Sequence, residues 1–220
     1  MSFSVIIPTF NEENIILQQI REVKRLLNAE IIIVDGGSTD STKEICEKEQ
    51  VKVLSAPRGR GTQFGVGAQA SSNGYLLFLH ADTTLPEDVL FKLKEFFSNP
   101  ENKIGAFTIK FRPRYFLLDL ITWASRFDSV LTSFGDQCIF MRREFYDEVD
   151  GFPGWPLFED VKIFQKARKL SRVHKLKGPV VSSSRRFQRN GVVYQLALNI
   201  WLILLYHLGV HPKVLIKRYR

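Results

Sequence analysis

Four short aliphatic runs in the first eighty positions constrain this chain more than any other feature: SVIIP, EIIIVD, VKVLS and YLLFLHAD. Each is four to eight residues long, and they are apolar on both faces, as strands buried in the middle of a layered fold must be. Helical segments alternate with them. NEENIILQQIREVKRLL reads as a helix with Asn11 as its N-cap and Glu12 and Glu13 in the first turn. Ser41 and Glu44 have the spacing of a capping box before TKEICEKE, and Pro86 suits the first position of a helix over PEDVLFKLKEFFS. Strands that alternate with helices predict an α/β fold around a Rossmann-like, mostly parallel central sheet with helices on both faces.

In such sheets ligands bind beyond the carboxyl ends of the strands. Four polar motifs fall at those ends: PTFNEE, DGGSTD, APRGRG and HADTT. Their shared position says more than any one of them. The second half is less regular. IGAFTIKF and QCIFM read as strands, YFLLDLITWASRFDSVLTSF as an amphipathic helix, and GFPGWPLFED as a turn-rich loop before a helix that opens near Glu159. No repeat, low-complexity tract or linker divides the chain. One domain over residues 1–220 is expected, with a regular first half (1–110), a less regular second half (111–190) and a helical tail (191–220).

The net charge of +8 suits an anionic partner and does not choose among nucleic acid, membrane and phosphorylated substrate. The basic residues form no recognisable nucleic-acid module, so no nucleic acid is expected as a partner. Cys46 and Cys138 are far apart and outside any CxxC pattern, which fits a reducing compartment and argues against a structural zinc site. MSFSVIIPTF lacks the basic and small-residue regions of a signal peptide, so a cytoplasmic location is expected.

Among the acidic residues, Asp35 ends the second apolar run, Asp82 the fourth, and Glu159 with Asp160 opens a helix. Singly, each is as well explained by turn chemistry or by the helix dipole as by function. Together they suggest a site for Mg²⁺ or Mn²⁺, which take one or two carboxylates plus substrate phosphates. Strand alternation would turn His80 and Asp82 toward one pocket, with a packed or hydrogen-bonded imidazole favoured over a ligand. In PRGRGTQFGVG, Gly59, Gly61 and Gly65 allow close backbone approach, and Arg58 and Arg60 suit phosphate oxygens. The spacing is not the dinucleotide fingerprint and follows the third strand, so a dehydrogenase is a weak match.

VIIPTFNEE, IIIVDGGSTDST, GRGTQFGVGAQAS, LLFLHADT and GFPGWPLFEDV, in this order, resemble the family 2 glycosyltransferases over nearly the whole chain. GDQCIFMRR and SSRRFQRNG resemble a short bacterial subgroup. The resemblance implies the GT-A fold, a nucleotide-diphosphate-sugar donor, a divalent cation (Mn²⁺ or Mg²⁺) and inverting transfer to an acceptor. By position it implies that Pro8, Thr9 and Glu12 border the nucleoside, with Asp35 at the base and Arg60 near the nucleotide. Asp82 would hold the metal, Asp160 would be the catalytic base and Glu159 its neighbour. Gly135, Asp136 and Gln137 would line the donor-sugar or acceptor side. One position departs from the pattern: His80 stands where the first acid of D-x-D is expected, on the nucleotide side. Arg185 and Arg186 are placed to close on the diphosphate, with an exposed basic loop as the plain alternative.

GVVYQLALNIWLILLYHLGV carries no formal charge, yet Gln195 and Asn199 make a polar stripe at i and i+4. An apolar helix packed on the domain, or in peripheral contact at the inner face of a membrane, is expected in preference to a spanning one. A lipid-linked acceptor agrees with that tail. Two other readings stay open: a nucleotidyltransferase, and a nucleotide-sugar-binding protein without turnover.

Overall fold

The structure is a computed structural model that describes residues 1–219. In the first half, β1 (Phe3–Thr9), α1 (Ile16–Leu26), β2 (Ala29–Asp35), α2 (Thr42–Lys48), β3 (Lys52–Ser55), α3 (Arg60–Ala70) and β4 (Tyr75–Phe78) alternate regularly. A two-residue strand β5 (Thr83–Thr84), α4 (Val89–Ser98), β6 (Ile104–Arg112) and α5 (Phe116–Ala124) follow. After a 3₁₀ turn at Gly135–Gln137 come β7 (Ile139–Arg142), α6 (Arg143–Glu148), α7 (Glu159–Ala167) and β8 (Val173–Ser183). The described chain closes with α8 (Arg185–Asn190), α9 (Val192–His207) and α10 (Pro212–Tyr219).

The eight strands form one sheet in the order β3-β2-β1-β4-β7-β6-β8-β5. β3, β2, β1 and β4 are mutually parallel, as the alternating sequence predicts. β7 enters antiparallel between β4 and β6, and β8 lies parallel to β6 at the far side. Strand order reverses at β1, which runs between β2 and β4, and a crevice opens at such a switch point. Because β1 is buried on both faces, Val5 and Ile7 join one core while Ile6 joins the other. The first core receives Ile16, Ile20 and Val23 of α1 and Leu93 and Phe96 of α4. The second receives Phe64 of α3, Phe145 of α6 and Ile163 and Phe164 of α7. A smaller third core joins Leu157, Phe158 and Val161 to Leu202 of α9 and Leu215 of α10.

Several local expectations need correction. Asn11 does not cap α1: it stands at φ 54° and the helix begins at Ile16. Its Oδ1 instead accepts from the Thr39 N–H at 2.9 Å, bracing the loop after β2. Ser41 precedes α2 without a side-chain cap; Glu13 and Asp40 satisfy the free N–H groups of Ser41 and Thr42 instead. Pro86 lies one turn ahead of α4, which starts at Val89. The run YLLFLHAD is strand only to Phe78, and His80 to Thr83 form a turn closed by the Thr83 N–H and the His80 carbonyl at 3.1 Å. The long helix expected from Tyr115 onward ends at Ala124.

Candidate active site

The four polar motifs stand at the carboxyl ends of β1 to β4, and chain segments from the second half close over them. At the end of β2, Asp35 is wholly buried. Its Oδ2 accepts the Gly37 and Ser38 N–H groups, both at 2.9 Å, and its Oδ1 accepts the Ser38 hydroxyl at 2.5 Å. This carboxylate therefore shapes the loop and offers no free oxygen. Gln63 of α3 fastens the neighbouring strand ends: its Nε2 donates to the carbonyls of Thr9 and Val34 at 2.9 and 2.7 Å. Its Oε1 accepts the Gly59 N–H at 3.2 Å. Pro8 is half-buried and Thr9 buried beside that staple. Arg58 stacks its guanidinium on the Phe10 ring, 3.7 Å from the centroid.

Asp82, partly exposed in the turn after β4, faces a cation from far along the chain. Arg185 Nη2, at the start of α8, lies 3.5 Å from Asp82 Oδ2 and 3.4 Å from Glu12 Oε2. One guanidinium thus bridges carboxylates that come from the ends of β1 and β4. Burial raises the Glu12 pKa above its usual value, Arg185 opposes this, and the charge of Asp82 adds to it.

Asp160 is buried in the first turn of α7, where the helix dipole favours an anion. The Gly135 N–H donates to its Oδ2 at 2.6 Å and the Val161 N–H to its Oδ1 at 2.7 Å. Gly135 is needed for close approach. A Cβ there would lie 3.2 Å from Asp160 Oδ2 and 3.4 Å from His80 Nε2. Asp136, next in the 3₁₀ turn, keeps a little surface, but its pKa is pushed up to about 7. Burial is the largest cause; Asp160 and Asp82 add to it, against Arg60 and Lys175. Gln137 turns away: it is 1% exposed, donates to the Thr132 carbonyl at 2.6 Å and accepts from Lys175. A 3₁₀ turn advances about 120° per residue, so Asp136 and Gln137 cannot share a face. The expectation that Gln137 lines the site is corrected accordingly.

Glu159 is almost completely buried, with Arg60 Nε 2.8 Å from its Oε1. This contact is a buried ion pair that holds the Glu159 carboxylate against the start of α3. Burial raises the Glu159 pKa, Asp160 adds to the rise, and Arg60 opposes it. Gly61 makes this meeting possible, since a Cβ there would collide with the Pro153 carbonyl oxygen and lie 2.9 Å from Glu159 Cβ. His80 stacks on Phe64 with centroids 5.9 Å apart. Burial, then Arg60, push its pKa down to about 3, so the imidazole is neutral, and its buried Nε2 has no partner.

Four acids and two arginines are thereby gathered: Asp82, Asp136, Glu159 and Asp160 with Arg60 and Arg185. Arg186 opens α8 beside Arg185 and is exposed. Among the described residues no three acidic, histidine or cysteine side chains are arranged to enclose a metal ion. The fit is nevertheless good for a hard cation. Asp82 offers an oxygen ligand, its charge adds to the raised pKa of both Asp136 and Glu12, and Mg²⁺ and Mn²⁺ habitually complete their shell with phosphate and water.

A family model described as "Glycosyl transferase family 2" matches residues 4–150, about two-thirds of the chain. The chain belongs to glycosyl transferase family 2. Among solved structures, this family 2 chain superposes on S. aureus TarS (residues 1–349) with a TM-score of 0.68 at 21% identity, covering 84% of this chain and 61% of that one. Glucosyl-3-phosphoglycerate synthase from Mycobacterium tuberculosis, solved with Mg²⁺ and uridine diphosphate, gives 0.66 at 18% identity over 95% of this chain and 80% of that one. Both likenesses show the fold, GT-A. Among curated proteins, the Bacillus subtilis minor teichoic acid biosynthesis protein GgaA is 26% identical over 114 residues, covering 46% of this chain and 26% of its own length. The Rhizobium meliloti succinoglycan biosynthesis protein ExoA is 31% identical over 102 residues, covering 41% and 31%. This chain therefore spans less than a third of the curated relatives it matches.

Proposed function

We propose that this family 2 chain transfers a sugar from a nucleotide-diphosphate donor to a hydroxyl acceptor, with inversion at the anomeric carbon and with the help of a divalent cation. The observation that carries this reading is the placing of Asp160. It is a buried carboxylate, oriented by the Gly135 and Val161 N–H groups and electrostatically coupled to Asp136, which in turn feels Asp82. Solved neighbours were crystallised with UDP-GlcNAc, with GDP-mannose and Mn²⁺, and with uridine diphosphate and Mg²⁺, which supports a nucleotide-sugar donor and a cation here.

The roles follow from the chemistry. Pro8, Thr9 and Glu12 border the nucleoside, while Asp35 positions the loop at Gly36–Thr39 without contributing a free oxygen. His80, neutral and with Nε2 unpaired, adds hydrogen-bonding capacity beside the nucleotide without adding charge. Asp160 takes the acceptor proton as the acceptor oxygen bonds to the anomeric carbon and the bond from that carbon to the phosphate oxygen breaks. A single displacement without an enzyme nucleophile inverts the centre, as in inverting glycosidases. Charge collects on the leaving diphosphate, where Arg60, Arg185 and Arg186 meet it. A cation held by Asp82 would add Lewis-acid stabilisation of the diphosphate oxygens. Gly135 and Asp136 face the donor sugar or acceptor. Relatives named for teichoic acid and succinoglycan biosynthesis favour a glycan or lipid-linked acceptor.

Thermal shifts with UDP, GDP, dTDP and CDP, with and without Mn²⁺, test the donor side. At a hundredfold excess over Kd a bound ligand adds about 2.7 kcal/mol, which for a chain of this size raises Tm by roughly 5–10 °C. One nucleotide should shift the wild type in the presence of Mn²⁺, and Asp82→Ala should abolish the shift. Asp160→Asn should keep the shift while slowing release of nucleoside diphosphate by about 10²–10⁴-fold. Release of pyrophosphate would instead identify nucleotidyl transfer. Equal turnover in Asp160→Asn would remove the base, and binding without any turnover would leave a binding protein.

A further inference from the structure

Two helices of this molecule are apolar on the outside. In α5 the one buried residue is Leu118, whereas Phe116, Leu120, Trp123 and, just beyond the helix, Phe127 recur every three or four residues and are 80, 57, 58 and 56% exposed. A helix that served only the core would carry this stripe inward. α9 packs Leu202 into the third core, yet it also buries a polar residue and exposes apolar ones. Gln195 is buried, donating to Asn199 and accepting from Asn190, both at 2.7 Å, while Val193, Ile200 and Leu204 stand more than half exposed.

The two helices spring from one junction. The Ser184 N–H donates to the Arg112 carbonyl at 3.0 Å, and the Ser184 hydroxyl donates to the Pro113 carbonyl at 2.9 Å. Phe111 and Phe187 meet edge to face at 5.7 Å. Arginines crowd that junction: Arg112 and Arg114 before α5, and Arg185, Arg186 and Arg189 in α8. The whole end of the chain shares this sign. Residues 161–220 contain fourteen Lys and Arg and no Asp or Glu, so the preceding 160 residues are net acidic within a total of +8. Of the acids near α5, Asp119 is paired with Arg114 and Asp128 with Arg168. Among the described residues no helix is long and apolar enough to cross a membrane.

We propose that the exposed stripes of α5 and α9, together with the arginines at the junction near which both segments begin, dock on an anionic lipid bilayer. The apolar stripes enter the boundary between headgroups and acyl chains, with Trp123 and Trp201 at the level that indoles favour. Arg112 and Arg189, exposed and with no role in the candidate site, meet lipid phosphates, whose attraction falls off within a Debye length. A second copy of this chain would bring the same positive field against itself, and a nucleic acid would leave the aliphatic side chains in water. The bilayer satisfies both parts. Ser184 immediately precedes Arg185, so docking would hold the Asp82 side of the candidate site near the membrane, where an acceptor with an acyl or prenyl anchor is presented. Vesicle binding is read without donor or acceptor, so it stands or falls apart from glycosyl transfer.

Co-sedimentation with vesicles of phosphatidylcholine, or of phosphatidylcholine with phosphatidylglycerol, tests this. Binding to the anionic vesicles at low salt should exceed binding to the zwitterionic ones by about tenfold or more, and should weaken at high salt. Leu120→Ser/Trp123→Ser should reduce it about tenfold with an unchanged thermal midpoint. Val193→Ser/Leu204→Ser should do the same from the other helix. The proposal is overturned if neither double variant changes vesicle binding, or if no vesicle binds. It is overturned equally if the substitutions dissolve a dimer of the free protein, or if single-stranded RNA competes fully and binds both variants like the wild type.

Discussion

Asp136 is the residue whose environment predicts most. Its pKa, raised from 3.8 to about 7 chiefly by burial and then by Asp160 and Asp82, means that the folded state holds its proton more tightly than the unfolded chain. That contribution to stability is fully present below the unfolded value, near 3.8, and is lost as pH rises through about 7. Asp136→Asn should therefore raise Tm at pH 8 relative to wild type and leave it nearly unchanged at pH 4. Metal-free protein followed by circular dichroism checks this; an equal shift at both pH values would remove Asp136 from the acidic cluster. Asp82 and Asp160 were legible as site candidates only through their arrangement with the other motifs at the strand ends, since turn chemistry and the helix dipole explain each of them singly. The Arg185 bridge to Asp82 and Glu12 was not, since nothing local in SSSRRFQRNG specifies a partner 173 residues away. Asp35 was legible as important, but its engagement by Gly37 and Ser38 appears only when the loop is folded.

Among the elements, α3 does most to align the candidate site, and it was the hardest to see. Gly61, Gly65 and Gly67 lower its helix propensity, and its apolar residues lack a clear stripe, so GRGTQFGVGAQAS carries no helical signature. The helix packs as it does because Gly61 lets it lie against the Pro153–Glu159 loop and Gly67 against Ile6 of β1. Its Gln63 links β1, β2 and the glycine loop through two buried hydrogen bonds and one part-buried one. Gln63→Leu should cost about 1–3 kcal/mol in urea unfolding, because the Val34 carbonyl loses this donor and the Gly59 N–H its acceptor. It should also weaken nucleotide-induced thermal shifts, whereas a cost below a few tenths of a kcal/mol would show that the staple holds nothing. Parallel strands β1 to β4 were readable because burial on both faces leaves a continuous apolar signature. Caps were read less well: side chains from neighbouring loops satisfied the helix ends that local spacing had assigned to Asn11 and Ser41.

Over the whole molecule, the tail and the loop that leads into α7 are one structure. Phe158 takes a left-handed conformation at φ 60°, strained for a bulky residue, and it is held there by packing with Tyr206 at 5.1 Å and with the α9–α10 pair. A chain truncated after residue 190 would expose Leu157, Phe158 and Val161, at a cost of roughly 3–6 kcal/mol. It should also lower turnover more than nucleotide affinity, because Asp160 follows the strained residue directly. Equal losses in both would separate the tail from that loop. Sequence reading left open whether the apolar helix there packs on the domain or meets a membrane, and it gave no sign of the core that Leu202 completes. The place of β8 was illegible too: it pairs with β6 across some seventy residues and with β5 across about a hundred, and strand partners at that distance leave no local mark.

That long-range pairing also sets an order of events during synthesis. β1 to β4 can assemble from the first eighty residues, but β5 has no neighbour until Val181 and Ser182 have been made. The cation between Asp82 and Glu12 arrives only with residue 185. On a ribosome, which releases a chain from its N-terminus, the acidic rim of the site therefore waits uncompensated while roughly a hundred further residues emerge. The nascent chain is then a parallel-sheet half without the arginine that bridges two of its acids.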